Sequence, residues 1–129
     1  MRIAASLLVL LLALAGCTSP DTTVTFDAET VTVRVGETLR IEFGRFNGTT
    51  GDNWYLVDGA DTGVLADAGK STDDDPGAEY LTWDFDAVAA GETTLVFQYC
   101  YRSELDDCVG DADGNGPPDP IQLAVTVTD

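Results

Sequence analysis

The 129-residue sequence contains no histidine and only six lysine and arginine residues. Without histidine, the usual Ser-His-Asp and Cys-His arrangements of nucleophilic catalysis are excluded. The formal net charge of −17 opposes nucleic acid as a partner, because the phosphates would be repelled. The many carboxylates could form glycosidase-like pairs, but no pair stands out. We therefore predict that the chain is not an enzyme and needs no cofactor.

The acidic excess has two interpretations. It can keep a surface protein soluble or adapt it to a salty medium, where screening over about 10 Å or less relieves self-repulsion. It can also steer the protein toward a basic partner. Composition does not separate these two roles.

The N-terminus has the pattern of an export signal. Met1 and Arg2 form a short positive region, residues 3–12 are an almost unbroken apolar run, and the letters L-A-G-C follow at residues 14–17. The run is shorter than the roughly 20 apolar residues that a membrane span needs.

The L-A-G-C ending resembles the lipobox of bacterial lipoproteins. The resemblance implies a lipoprotein signal peptide at residues 1–16, lipidation of Cys17, a lipidated tether at residues 17–22 and one domain at residues 23–129. The protein would then be exported to the cell envelope and lipid-anchored to a membrane surface. An ordinary secretory cleavage, with Cys17 left as a spare thiol, is the alternative.

After this segment, apolar and polar residues alternate with a period of two, which is typical of half-buried strands, and helical periodicity of useful length is missing. Residues 31–35 and 39–43 alternate on either side of Gly36-Glu37 and predict a hairpin. The polar residues 70–77, with Pro76 and Gly77, predict a loop. Further strands are expected around residues 24–26, 54–56, 64–65, 81–85, 95–99 and 121–127.

Seven or eight such strands predict an all-β fold, an immunoglobulin-like antiparallel β-sandwich. Trp54 and Trp83 are the candidate core tryptophans, since burying such rings contributes about 2 to 3 kcal/mol each. A sandwich gathers its loops at two ends, where several loops can form one composite surface. Three segments are candidates: loop 1 (residues 44–53), loop 2 (residues 70–79) and loop 3 (residues 101–120).

Two cysteines lie in or beside loop 3. Cys100 and Cys108 are eight residues apart, and in an exported protein they can form a disulfide. Two unpaired thiols are the alternative. A metal site built on them lacks further soft ligands.

Loop 3 also contains oxygen-bearing side chains at spaced positions along the sequence. Asp111, Asp113, Asn115 and Asp119 occupy positions one, three, five and nine of an EF-hand-type calcium loop, with Gly116 at position six. Position twelve is occupied by glutamine instead of glutamate, and two prolines intervene. Calcium binding and a plain acidic turn both remain open.

Loop 1 has the composition of a stiff projection. Gly48 and Gly51 let the backbone turn sharply and approach another surface closely. Thr49 and Thr50 are β-branched and lose little rotamer freedom on binding, which lowers the entropic cost of association. An ordinary strand connector is the alternative.

The spacing N-x-T-T-G-x-x-W at residues 47–54, the upstream V-x-V-x-V-G-E-T and the later L-V-F-Q-Y resemble the chagasin family, small inhibitors of papain-like cysteine proteases. The resemblance extends from about residue 29 to the C-terminus. It implies a monomer that inhibits reversibly by inserting three loops into the protease cleft. The residues implied in protease binding are Asn47, Gly48, Thr49, Thr50 and Gly51 from loop 1, Asp75, Pro76 and Gly77 from loop 2, and Tyr101 and Arg102 from loop 3.

The chain also differs from the family pattern. Gly48 stands where proline is usual, loop 2 is acidic instead of glycine-rich, and loop 3 has Tyr101-Arg102-Ser103 in place of an Arg-Pro-Trp cluster. A second hypothesis is therefore a non-inhibitory adhesion or scaffold module of the cell envelope, with the same fold and another partner.

Overall fold

The computed structural model describes residues 20–60, 63–75 and 78–129. Eight strands form two four-stranded sheets, with the order β1-β3-β6-β5 in sheet A and β2-β8-β7-β4 in sheet B. The strands are β1 (Thr22–Thr25), β2 (Thr30–Arg34), β3 (Thr38–Arg45), β4 (Asp52–Asp58), β5 (Leu65–Asp75), β6 (Ala78–Ala87), β7 (Gly91–Tyr101) and β8 (Ile121–Thr128). The predicted all-β sandwich of seven or eight strands is confirmed.

Helical structure is confined, within the described ranges, to a short 3₁₀ turn at Leu105–Asp107. The same ranges contain no helix that is long and apolar enough to cross a membrane. The proposed signal peptide and Cys17 lie outside the described residues.

Two of the strand pairs are parallel. β1 pairs in parallel with β3, and β2 pairs in parallel with β8, whereas the other pairs are antiparallel. Parallel neighbours need a crossover connection. Here β2 supplies that crossover between β1 and β3, because it lies in the opposite sheet.

The hairpin predicted for residues 31–43 is wrong. β2 belongs to sheet B and β3 to sheet A, so the two strands lie in different sheets and do not pair. The turn between them crosses from one sheet to the other: the Val35 N–H donates to the Thr128 carbonyl at 2.8 Å, and the Gly36 N–H donates to the Ala87 carbonyl at 2.9 Å. Gly36 has φ +92°, which favours glycine at this crossing. The alternation of apolar and polar residues predicted that each strand has a buried face, but it did not predict which strands pair with each other.

The loop predicted for residues 70–77 is also wrong over most of its length. β5 continues to Asp75 and pairs with β6 as far as Asp75 opposite Ala78. Backbone hydrogen bonds to β6 therefore outweigh the low strand propensity of this polar run. Pro76 and Gly77 lie outside the described residues.

The core lies between the two sheets and is rich in aromatic rings. Trp83 is buried, and its ring centroid is 5.3 Å from that of Phe97 on the opposite sheet. Trp54 is partly buried and packs against Phe43 at 5.0 Å. Both tryptophans therefore belong to the packed interior, Trp54 at its margin beside loop 1.

Candidate functional site

Strand register brings the three candidate loops to one end of the sandwich. Arg45 at the end of β3 pairs with Tyr80 near the start of β6, so loop 1 begins beside the β5–β6 hairpin. Asp52 at the start of β4 pairs with Tyr101 at the end of β7, so loop 1 ends beside loop 3. The Phe46 N–H also donates to the Glu79 carbonyl at 3.0 Å. We call this edge the loop end.

Loop 1 is folded around Asn47. The Asn47 side-chain oxygen accepts the N–H groups of Thr49 at 3.1 Å and Thr50 at 3.2 Å. Its backbone carbonyl accepts from the N–H groups of Thr50, Gly51 and Asp52 at 3.1 to 3.2 Å. Asn47 is thus a local cap of the kind that asparagine forms in turns. Residues 47–50 are nevertheless exposed, so the loop is both ordered by hydrogen bonds and accessible.

Asp52 and Tyr99 fix the base of loop 1, and the sequence did not single them out as functional. Asp52 accepts the Asn47 N–H at 2.9 Å and the Tyr99 hydroxyl at 2.6 Å. Burial raises the pKa of Tyr99 to about 12, and the hydrogen bond to Asp52 adds to the effect. The two residues are 47 positions apart, so no local spacing could reveal the contact.

Arg102 joins loop 3 to loop 1. Its backbone N–H donates to the Gly51 carbonyl at 2.9 Å, and its Nε donates to the Thr50 carbonyl at 2.7 Å. Its guanidinium also lies 5.4 Å from the centre of the Tyr101 ring. Arg102 is the one non-glycine residue with positive φ among those described, at +48°. The predicted residues of loops 1 and 3 are therefore in direct contact.

A disulfide closes the first part of loop 3. Cys100 and Cys108 are bonded, as the sequence predicted. Cys100 is fully buried at the end of β7, and the next residue, Tyr101, donates its N–H to the Val109 carbonyl at 2.8 Å. Loop 3 therefore leaves the sheet as a closed lobe that holds Arg102 against loop 1.

Loop 2 is the tip of the β5–β6 hairpin. Its predicted residue Asp75 ends β5 opposite Ala78, two residues before Tyr80, which pairs with Arg45 at the loop end. The other two predicted residues, Pro76 and Gly77, lie outside the described residues.

The acidic part of loop 3 forms a turn centred on Asp111. Its carboxylate accepts the Asn115 side-chain amide at 2.7 Å and the N–H groups of Asp113 and Asn115 at 3.0 and 3.1 Å. The Asn115 side chain is the main reason that the pKa of Asp111 is lowered. In the part of the chain that the structure describes, no group of three or more His, Cys, Asp or Glu side chains is placed to hold a metal ion. Calcium binding by Asp111, Asp113, Asn115 and Asp119 stays a prediction.

A comparison with known protein families shows to which family the chain belongs. Residues 32–111, more than half of the chain, match the chagasin family of peptidase inhibitors, I42. The chain belongs to the chagasin family. This family consists of peptidase inhibitors and not of enzymes, which confirms that catalysis was rightly excluded. The matched residues run from β2 into loop 3 and include loops 1 and 2 and the disulfide.

Solved structures support the same fold. The cysteine protease inhibitor EhICP2 from Entamoeba histolytica matches with a TM-score of 0.61 and 18% identity, covering 84% of this chain and 99% of EhICP2. Amebosin matches with a TM-score of 0.58 and 22% identity, over 85% of this chain and 100% of amebosin. PbICP-C, solved in complex with falcipain-2, matches with a TM-score of 0.51 and 17% identity, over 88% and 96% of the two chains. No curated protein matches the chain.

Proposed function

We propose that this protein reversibly inhibits papain-like cysteine proteases by occluding the active-site cleft with loops 1, 2 and 3. Family membership supports inhibition of a peptidase. The similar fold of PbICP-C, solved in complex with falcipain-2, supports a cysteine protease as the target class. The observation that carries the proposal is an exposed loop 1, braced by loop 3 at the end where the β5–β6 hairpin also ends.

The internal hydrogen bonds of loop 1 explain how it would block a cleft. Three consecutive N–H groups, from Thr50 to Asp52, all point to the Asn47 carbonyl. A turn held in this way does not offer an extended backbone for cleavage. It also loses little conformational freedom on binding, so more of the contact energy appears as affinity.

A substitution at the tip of loop 1 tests the proposal. Thr49 is exposed, and its hydroxyl makes no hydrogen bond to any group that the structure describes. Thr49→Trp should therefore leave the fold intact while adding a bulky ring at the tip that would enter the cleft. We expect inhibition of papain to weaken at least tenfold, which corresponds to about 1.4 kcal/mol.

The matched control is Thr32→Trp, since Thr32 is exposed on β2, away from the loop end. It should inhibit papain like the unaltered protein. Equal inhibition by all three proteins would contradict insertion of loop 1. Inhibition of papain by none of them would favour the envelope-module hypothesis.

We also propose that a lipid on Cys17 anchors the protein with its loop end facing away from the membrane. β1 begins at Thr22, five positions after Cys17 in the sequence. Thr22 pairs with Leu39 near the start of β3, whereas loop 1 follows the end of β3. The N-terminal tether would therefore leave the sandwich at the end opposite the loops.

Cys17→Ser tests the anchor. In the expressing bacterium, the variant should move from the membrane fraction to the soluble fraction and lose the mass of the acyl groups. Its inhibition of papain in detergent should stay unchanged. Membrane association that survives the substitution would contradict lipidation at this residue.

A further inference from the structure

Sheet A carries a further concave surface beside the loop end. A cleft of about 660 Å³ opens there, and its lining includes Phe26, Gly44 and Tyr80. Phe26 and Tyr80 are the two most exposed aromatic residues among those described, at 41% and 39%. The lining also includes Glu42 and Asp73. We call this feature the aromatic-acidic cleft.

The aromatic walls are held in place by the fold. The ring of Phe26 stacks on that of Phe43 with 6.2 Å between centroids and 14° between planes. Tyr80 lies on β6 between Arg45 of β3 and Asp73 of β5 in the strand register. The cleft is therefore built on paired strands, and the Phe26 ring, already packed on Phe43, would need little reordering when a ligand binds.

Two cations of sheet A, Arg40 and Lys70, are held by other groups, whereas Arg45 lies opposite Tyr80 in the strand register and so stands beside the cleft. Arg40 binds the Asp84 carboxylate through two hydrogen bonds, of 2.8 and 3.0 Å. Lys70 lies 5.0 Å from the centre of the Trp83 ring, so it faces the core side of sheet A. The Arg40–Asp84 contact is the one ion pair among the side chains that the structure describes. Glu42 and Asp73 form no ion pair among these side chains, although both interact electrostatically with Arg40.

We propose that the aromatic-acidic cleft binds a lysine or arginine side chain of the inhibited protease, next to the protease's own cleft. A cation is attracted by the faces of aromatic rings, and carboxylates beside those rings strengthen the attraction. This inference rests on the proposed function, because Gly44 and Asp73 join the cleft to loops 1 and 2.

The net charge argues for a different protein as the occupant, and not for a second copy of this chain. The sequence has 23 acidic and six basic residues, so two copies would repel each other. A protease with a basic rim would instead be attracted to this face. The aromatic-acidic cleft would then make the inhibitor bind some papain-like proteases more tightly than others, through a contact outside the protease's active-site cleft.

A peptide titration tests the cleft without any protease. The full-length protein in mild detergent is titrated with acetyl-Gly-Arg-Gly-amide while the aromatic NMR resonances of Phe26 and Tyr80 are followed. We expect saturable shifts with the arginine peptide and none with the same peptide containing neutral citrulline. The double variant Glu42→Gln/Asp73→Asn should lose the shifts. Unchanged resonances, or equal shifts with both peptides, would overturn the proposal.

A second experiment tests whether the aromatic-acidic cleft contributes to protease inhibition. Inhibition constants are measured with papain-like proteases that do and do not carry a lysine or arginine beside the cleft. The double variant should weaken inhibition of the basic-rimmed protease about five- to tenfold, as expected for the loss of two exposed charge contacts. Asp86→Asn/Glu92→Gln is the control, because it removes the same charge away from the cleft.

The two proposals fail in different ways. If no protease is inhibited but the arginine peptide shifts the two rings, the proposed function fails and the cation cleft remains. If proteases are inhibited and the double variant behaves like the control, the cleft has no part in the complex and this inference is overturned.

Discussion

Gly51→Ala should weaken the brace between loops 1 and 3 through both strain and a steric clash. Gly51 has φ +122°, and a Cβ atom added there would lie 2.2 Å from Cγ of Arg102. The positive φ alone costs roughly 1 to 2 kcal/mol for alanine. Moving Arg102 away breaks its 2.7 Å hydrogen bond to the Thr50 carbonyl, which contributes roughly 1.5 kcal/mol as a charged bond. We expect a loss of about 3 kcal/mol in the free energy of unfolding.

Urea unfolding followed by tryptophan fluorescence measures this loss. Gly114→Ala is the matched control, because Gly114 has φ +82° and an added Cβ would have nothing within 4 Å. It should cost about 1 to 2 kcal/mol from strain alone. Gly51→Ala should also weaken papain inhibition, because it loosens the support that Arg102 gives to loop 1.

A double-mutant cycle separates the clash from the strain. Arg102→Ala removes the side chain that the new Cβ would strike, so the two substitutions together should cost less than the sum of the single losses by about 1 kcal/mol or more. Strict additivity would refute the clash. Equal losses for Gly51→Ala and Gly114→Ala would refute the brace altogether.

Three further predictions follow from charge and cross-linking. Because burial raises the pKa of Tyr99 from 10 to about 12, the fold favours the neutral phenol. The free energy of unfolding should therefore be unchanged below pH 10 and fall as the pH rises toward 12. In an alkaline unfolding titration, Tyr99→Phe should remove this loss. Replacing Cys100 and Cys108 with alanine should lower the free energy of unfolding by about 2.6 kcal/mol, since the disulfide closes a nine-residue loop; an unchanged urea midpoint would contradict this. With a net charge of −17, the protein should melt at a higher temperature in 1 M than in 0.01 M sodium chloride, and a melting temperature independent of salt would argue against self-repulsion as a limit on stability.

The alternation of apolar and polar residues predicted much of the fold. The two predictions that were wrong, the hairpin at residues 31–43 and the loop at residues 70–77, share one cause, which is long-range strand pairing. Alternation at residues 31–35 correctly predicted that Val33 is buried, whereas Val35, on the same predicted face, is 41% exposed. It did not show that β2 pairs with β8, 90 residues or more along the chain. The polar β5 was missed for the related reason that its strand conformation depends on hydrogen bonds to β6.

The candidate site likewise combines features that a local pattern predicts with contacts between residues far apart in the sequence. The spacing from Asn47 to Gly51 identified loop 1, because the capping asparagine and the turning glycine act within a few residues of each other. The contacts of Arg102 with Thr50 and of Tyr99 with Asp52 join positions 52 and 47 residues apart. No local pattern encodes them.

The sequence by itself determined the all-β class, the acidic charge, the lack of histidine chemistry and the stiff tip of loop 1, since each depends on composition or on residues close together in the chain. Only the tertiary structure decided which strands pair, how loop 3 supports loop 1, and that Phe26 and Tyr80 share a cleft with two carboxylates. Strand pairing is a long-range choice among many similar edges, and it is settled when both sheets bury their apolar faces together.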